Sequence, residues 1–166
     1  LLTQEIVVGK ESEKPSKVAS GSLPVVTKDA FLAAADENGK TVFSRILDLA
    51  KDKGMPIHWG TKGFSLNVDV DGAHVAICKV YPPDSVYKQT LRTTLRDSGG
   101  VQKKSAVPEE TIQDLWKQAE QTGLFTPAGQ DLKCHISRYF SDEEIKTLVQ
   151  WCVAAEKAVK EHGLKQ

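Results

Sequence analysis

A chain of 166 residues with 40% hydrophobic and 27% charged side chains has the size and balance of one globular domain, which argues against a disordered or fibrous chain. Its 22 basic and 22 acidic side chains cancel, so bulk charge gives no reason to expect nucleic acid or a membrane surface as a partner; only local clusters count. No stretch nears the ~20 apolar residues that cross a bilayer, and the cysteines Cys78, Cys134 and Cys152, with no C-x-x-C pair, point to a reducing, intracellular compartment rather than to a disulfide frame.

The chain opens Leu1-Leu2 and reads as a piece of a longer protein. A β-like run at 5–8 leads into a stretch rich in Lys, Glu, Ser, Pro and Gly, so 1–26 is expected to be a strand-like start followed by a mobile arm or linker, and 27–166 a single domain. Thr27 is placed to cap a short helix over 29–35. After Asn38-Gly39, the apolar residues Val42, Phe43, Ile46, Leu49 and Ala50 recur at helical spacing over 41–53, until Gly54 and Pro56 stop the helix.

Period-two patterning then takes over. Ile57-His58-Trp59, the turn Gly60-Thr61-Lys62-Gly63, and Phe64, Leu66, Val68 and Val70 alternating with polar residues predict two strands. Asp71-Gly72 suits a tight hairpin whose two central residues need positive φ, and a third strand returns over 73–81 until Pro82-Pro83 ends it. Over 85–97 the stripe Tyr87, Leu91, Leu95 fits a helix and the alternation Leu91, Thr93, Leu95 fits a strand; a helix is expected. Gly99-Gly100 breaks that segment, and 101–106 reads as a short edge strand.

Pro108 and Glu109-Glu110 open a helix that buries Ile112, Leu115, Trp116 and Ala119 and closes at Gly123. A short strand is expected over 132–137. Ser141-Asp142-Glu143-Glu144 is a capping box that starts a long C-terminal helix over 142–162. The sum is an α+β fold: an antiparallel three-stranded meander over 56–81 packed by helices, with an extra short strand and the long last helix. Its expected core contains Phe43, Ile46, Trp59, Phe64, Leu66, Ile77, Leu115, Trp116, Leu148, Val149 and Cys152.

Two constellations carry chemistry. Over 79–104 six basic residues (Lys79, Lys88, Arg92, Arg96, Lys103, Lys104) stand against Asp84 and Asp97. Lys88, Arg92 and Arg96 are spaced by four, so one face would carry all three on a helix or on a strand, and with Lys103 and Lys104 they could meet successive phosphates. The competing reading is a solvated face, or pairing with the acidic helix that begins at Glu109. In His58-Trp59-Gly60-Thr61-Lys62-Gly63 the glycines would let an anion approach the backbone, Thr61 and Lys62 would contact an oxyanion and Trp59 would stack on a base. Its competing reading is a hairpin connection with Trp59 in the core.

Other chemistry lacks its residues. A hairpin nuclease of the D…(D/E)-x-K type needs a carboxylate where Ile77 stands, which leaves Asp69 and Asp71 as turn residues. His58, His74, His135 and His162 form neither H-x₃-H nor H-E-x-x-H, and Cys134-His135 are strand neighbours that face opposite ways, so no metal, cofactor or catalytic residue is expected. The leading expectation is a non-catalytic, accessory nucleic-acid-binding module of a larger intracellular protein, using Lys62, Trp59, Lys88, Arg92, Arg96, Lys103 and Lys104 on DNA or RNA. The alternatives are a protein-interaction or regulatory domain that meets an acidic protein surface, and a small-molecule or anion site at the 59–63 turn. No membrane partner is expected.

Overall fold

The computed structural model describes residues 23–166, so residues 1–22 of the expected arm lie outside the described residues. Residues 23–26 have no regular structure, but Val26 N–H donates to Gly60 O at 2.8 Å and ties the segment to the domain. Among the described residues no helix is long and apolar enough to cross a membrane.

The fold is α+β, as expected: one antiparallel sheet with helices against it. Helix α1 (Lys28–Ala34) starts where Thr27 Oγ1 accepts from Ala30 N–H at 3.1 Å. Helix α2 (Glu37–Asp52) begins four residues before the expected 41, because the Asp36 carboxylate caps Gly39 N–H at 2.8 Å and draws Asn38-Gly39 into the first turn. Gly39 has a packing reason to be glycine there, since a Cβ would run into the buried amide of Gln89. That amide donates to Asp36 Oδ1 at 2.8 Å and to Ile136 O at 2.7 Å, and accepts from Asp36 N–H at 3.1 Å.

The meander forms as β1 (Ile57–Trp59), β2 (Phe64–Val70) and β3 (Ala73–Tyr81), with Asp71 at φ 50° and Gly72 at φ 82° in the turn. Three further strands, β4 (Thr90–Thr93), β5 (Thr126–Ala128) and β6 (Asp131–His135), widen it to a six-stranded sheet in the order β1-β2-β3-β4-β6-β5. The remaining helices are α3 (Val101–Lys104), α4 (Glu109–Gln121) and α5 (Asp142–His162).

Two expected elements change type. Residues 85–97 hold strand β4, not a helix: β4 pairs with β3 on one side and β6 on the other, and Lys88, at φ 52°, interrupts any helix before it. In place of an edge strand over 101–106 there is the short helix α3 over 101–104, followed by a single antiparallel bridge of Ser105 to Leu164, and beside the helix Gly100 lies so close to Thr94 O that a Cβ would collide.

The core lies between one sheet face and the helices. Phe64, Leu66 and Val68 of β2, Val75, Cys78 and Val80 of β3, Leu91 of β4, and Leu132 and Cys134 of β6 are all buried on that face. Helix α5 crosses β2 and β3, and its Trp151 indole N–H donates to Leu115 O in α4 at 2.8 Å. The expected core residues are buried except Trp59 and Trp116, which are half-buried.

The capping box closes as expected. Ser141 Oγ accepts from Glu144 N–H at 3.2 Å and Glu144 Oε1 accepts from Ser141 N–H at 3.0 Å. Arg138 pairs with Glu144, and with the Ser141 N–H it holds that carboxyl down at about 2. Arg96, with help from Gln102 and Gln113, does the same to Glu109, also to about 2. Both carboxyls titrate below their ordinary value of 4.5, so the stability they contribute is complete above that value and is lost as pH falls toward 2. Carboxyl NMR titration should find these two midpoints lowest among the glutamates, and Arg138→Ala should raise that of Glu144. An unmoved midpoint in that variant would contradict the pairing.

Candidate functional site

Strand alternation sends every second side chain to the face opposite the core. On β3 this face depends on a bulge. Leu66 and Asn67 pair with Cys78 and Ala76, which leaves Ile77 as an extra residue, so His74 and Lys79 share a face although they are an odd number of residues apart. The register then aligns His58, Ser65, Lys79, Arg92, Lys133 and Thr126 in one row across all six strands. Tyr81, Thr90 and His135 form the next row. Apart from Thr90, which the 82–89 connection covers, these residues of β3, β4 and β6 are half-exposed or exposed.

Lys79, Arg92 and Lys133 thus stand on adjacent strands about 5 Å apart. One carboxylate serves the first two: Lys79 Nζ donates to Asp97 Oδ2 at 2.8 Å, and Arg92 Nη1 lies 3.8 Å from the same oxygen. Burial pushes the Asp97 carboxyl up, but the Lys79 ammonium and the Ser98 donors outweigh it and hold the carboxyl below its ordinary value. Lys62, Lys88 and Lys133 have no described carboxylate within ion-pair reach. Among the described residues the face therefore carries more positive than negative charge.

Two clefts open side by side on this face. The first, about 540 Å³, is bounded by the 58–63 segment, Ser65, Lys79 and Tyr81. The second, about 490 Å³, is bounded by Lys88, Arg92, Gly129, Lys133 and His135. Val86 and Tyr87 line both and form the ridge between them. Five cations line the pair (Lys62, Lys79, Lys88, Arg92, Lys133), and no described carboxylate does. The ridge carries Tyr87, 47% exposed, with its ring 4.4 Å from that of Tyr81.

The structure divides the residues singled out from sequence. Lys62, Lys88 and Arg92 reach the clefts, and Trp59 borders the first of them. Trp59 pairs with Phe64 and turns toward the helices, its ring 5.7 Å from Phe31 and 4.9 Å from Phe64. The expected single face of Lys88, Arg92 and Arg96 does not form, because β4 spans only Thr90–Thr93: Lys88 precedes it and shares the second cleft with Arg92, while Arg96 follows it and leaves the face. Arg96 instead grips Glu109 with two hydrogen bonds, at 3.0 and 2.6 Å. Lys103 and Lys104 lie on α3, and Lys104 Nζ donates to His74 O at 3.0 Å. His74 and Tyr81 are at opposite ends of β3, about 23 Å apart at ~3.3 Å per residue, so Lys104 sits far from the Tyr81 end of the face, and neither Lys103 nor Lys104 lines a cleft.

The glycine turn also separates into parts. Gly60 N–H already donates to Gly63 O at 2.7 Å, so it is not free for an anion. Gly63 packs against β3 so closely that a Cβ would collide with Val80 O. Gly63→Ala should therefore cost about 1–3 kcal/mol in urea denaturation, because backbone must move to admit the methyl group. An unchanged midpoint would show that the turn relaxes freely.

Sequence reasoning missed Lys133, Tyr81, Tyr87 and His135 as site residues. The alternation Leu132, Lys133, Cys134, His135 was a signal for which side chains point outward, but not for the strand they would lie beside. His135 and Thr90 do not make a base–nucleophile pair. The Thr90 hydroxyl donates to Tyr87 O at 2.7 Å and so receives, at 3.2 Å, the hydrogen of His135 Nδ1. Cys134 is buried, and burial pushes its thiol up to about 12, which leaves no reactive thiolate at neutral pH. One further group of possible metal ligands lies beside the first cleft: His58, Asp69 and His74. No family model, curated protein or solved structure matches this chain.

Proposed function

We propose that the open sheet face is a non-catalytic binding surface for single-stranded nucleic acid. The observation that carries this reading is the pair of adjoining clefts lined by Lys62, Lys79, Lys88, Arg92 and Lys133 and by no described carboxylate. An extended polyanion can follow the cations from Lys62 to Lys133 and exchange its counterions for them. Tyr87 and Tyr81, interleaved with the cations, offer faces on which unpaired bases stack, typically worth about 1–3 kcal/mol per base. A duplex hides its bases and could use only the charges. Compared with the set expected from sequence, the contacts move onto the sheet: Lys79 and Lys133 join, Trp59 borders the first cleft but packs its ring on Phe31 and Phe64, and Arg96, Lys103 and Lys104 line neither cleft.

Fluorescence anisotropy with a labelled single-stranded oligonucleotide tests the reading. Binding should be saturable, should weaken with salt, and should exceed binding to the matching duplex. Equal or tighter binding of polyglutamate of matched charge would favour an acidic protein surface as the partner, and no binding to any of the three at low salt would dispose of the basic face as a polyanion site.

A further inference from the structure

We infer that His58, Asp69 and His74 form a site for a divalent transition cation of the zinc class. The three residues come from three adjacent strands: the register pairs Asp69 with His74, and His58, which stands opposite Ser65, brings its ring centroid to within 4.2 Å of that of the His74 ring. Asp69 and His74 are direct partners across the Asp71-Gly72 hairpin, and His58 enters from β1. Their donor atoms lie within 4.8 Å of one another. Ligands held at ~2.0–2.1 Å around a tetrahedral ion sit about 3.3 Å apart, so the set closes with side-chain rotations of little more than an ångström.

The present contacts show that the groups already converge. His74 Nδ1 and Asp69 Oδ1 are hydrogen-bonded, and the two imidazole rings meet edge to face with centroids 4.2 Å apart. Hydrophobic packing does not explain that convergence, because Asp69 and His74 are exposed and His58 is half-exposed.

The donor set decides the class of ion. Two imidazoles and one carboxylate suit zinc and its first-row neighbours, whereas magnesium and calcium favour oxygen ligands alone. Three protein ligands on an exposed face leave coordination positions open to water or to a ligand oxygen. Because the ion would tie β1 to β2 and β3, it would also pin the three-residue strand at the sheet edge. The site shares His58 with the rim of the first cleft but none of the five cleft cations, so metal binding measured without nucleic acid tests it separately.

Titration calorimetry with Zn²⁺ alone, without nucleic acid, tests it. One equivalent should bind, Mg²⁺ should not compete, and Co²⁺ should give the visible absorption of a low-coordinate site. His58→Ala and His74→Ala should each weaken Zn²⁺ binding by at least about tenfold, and Asp69→Asn by a similar factor. All three side chains are at least partly exposed, so the variants should keep the wild-type circular dichroism and melting curve without metal. A Zn²⁺ stoichiometry and affinity unchanged in His58→Ala and His74→Ala would overturn the site, as would the absence of saturable binding to the wild-type chain.

Discussion

Replacing Arg92 and Lys133 together by glutamate should weaken binding of a single-stranded oligonucleotide more than about 100-fold at moderate salt. These two residues are direct partners in the β4–β6 register and both line the second cleft. Each reversal turns a phosphate attraction of about 1 kcal/mol in water into a repulsion of similar size, so the pair changes binding by roughly 3 kcal/mol after screening. The salt dependence sharpens the expectation. Five cations on a single strand give a slope of log K against log salt of about −3.5, and Arg92→Ala with Lys133→Ala should reduce it to about −2. Lys103→Glu with Lys104→Glu should weaken binding far less than the Arg92 and Lys133 pair, because neither side chain lines a cleft. Arg96→Glu should act on Glu109, its partner in the fold, rather than on affinity.

The largest loss of stability is expected from Asp131→Ala. Asp131 is fully buried, and its Oδ1 accepts from Thr93 Oγ1 at 2.9 Å and from Leu95 N–H at 2.6 Å while Oδ2 accepts from Arg96 N–H at 3.1 Å. Those bonds fasten the end of β4 to the start of β6. Truncation strands the N–H groups of Leu95 and Arg96 and leaves the Thr93 hydroxyl only the Leu132 carbonyl at 3.4 Å, so at about 1–3 kcal/mol per stranded donor a total near 4 kcal/mol is expected in urea denaturation. Asp131→Asn keeps an acceptor oxygen and should cost roughly half as much. A loss below about 1 kcal/mol in the alanine variant would mean that the β4–β6 junction does not depend on this carboxylate. Burial pushes the Asp131 carboxyl above its ordinary value despite the donors from Thr93, Arg96 and Leu95. The folded chain therefore holds that proton more tightly than the unfolded chain, and this group lowers stability as pH rises through its titration, opposite in sign to Glu109 and Glu144.

What could be read before the structure was local. The Asp71-Gly72 turn, the Thr27 cap and the Ser141 to Glu144 box each satisfy backbone groups within a few residues, so their signals are complete in the sequence. Strand β4 was hidden because the spacing of Leu91 and Leu95 fits a helix equally well, and the pairing that decides the matter involves Cys134 and Lys133, some forty residues further on. Strand β5 contains Pro127 and was passed over; it lies at the sheet edge, where a missing N–H is tolerated. The outward face of Lys79 relative to His74 depends on the Ile77 bulge, which no alternation pattern announces. The His58–Asp69–His74 group has no motif spacing, since it assembles through the Asp69–His74 strand pair and the reach of the His58 ring from two strands away. Trp59 was more legible than the stacking reading allowed, because its alternation with His58 already puts it beside Ile57 on the core side.

The central claim is that the ligand lies across the open sheet face, and an amide NMR titration with a single-stranded oligonucleotide tests it most directly. Shifts should concentrate on Lys79, Tyr81, Tyr87, Arg92 and Lys133, and spare α3 and the outer surface of α5. Shifts centred on Lys103 and Lys104, or a sheet face left unperturbed at saturation, would contradict the assignment.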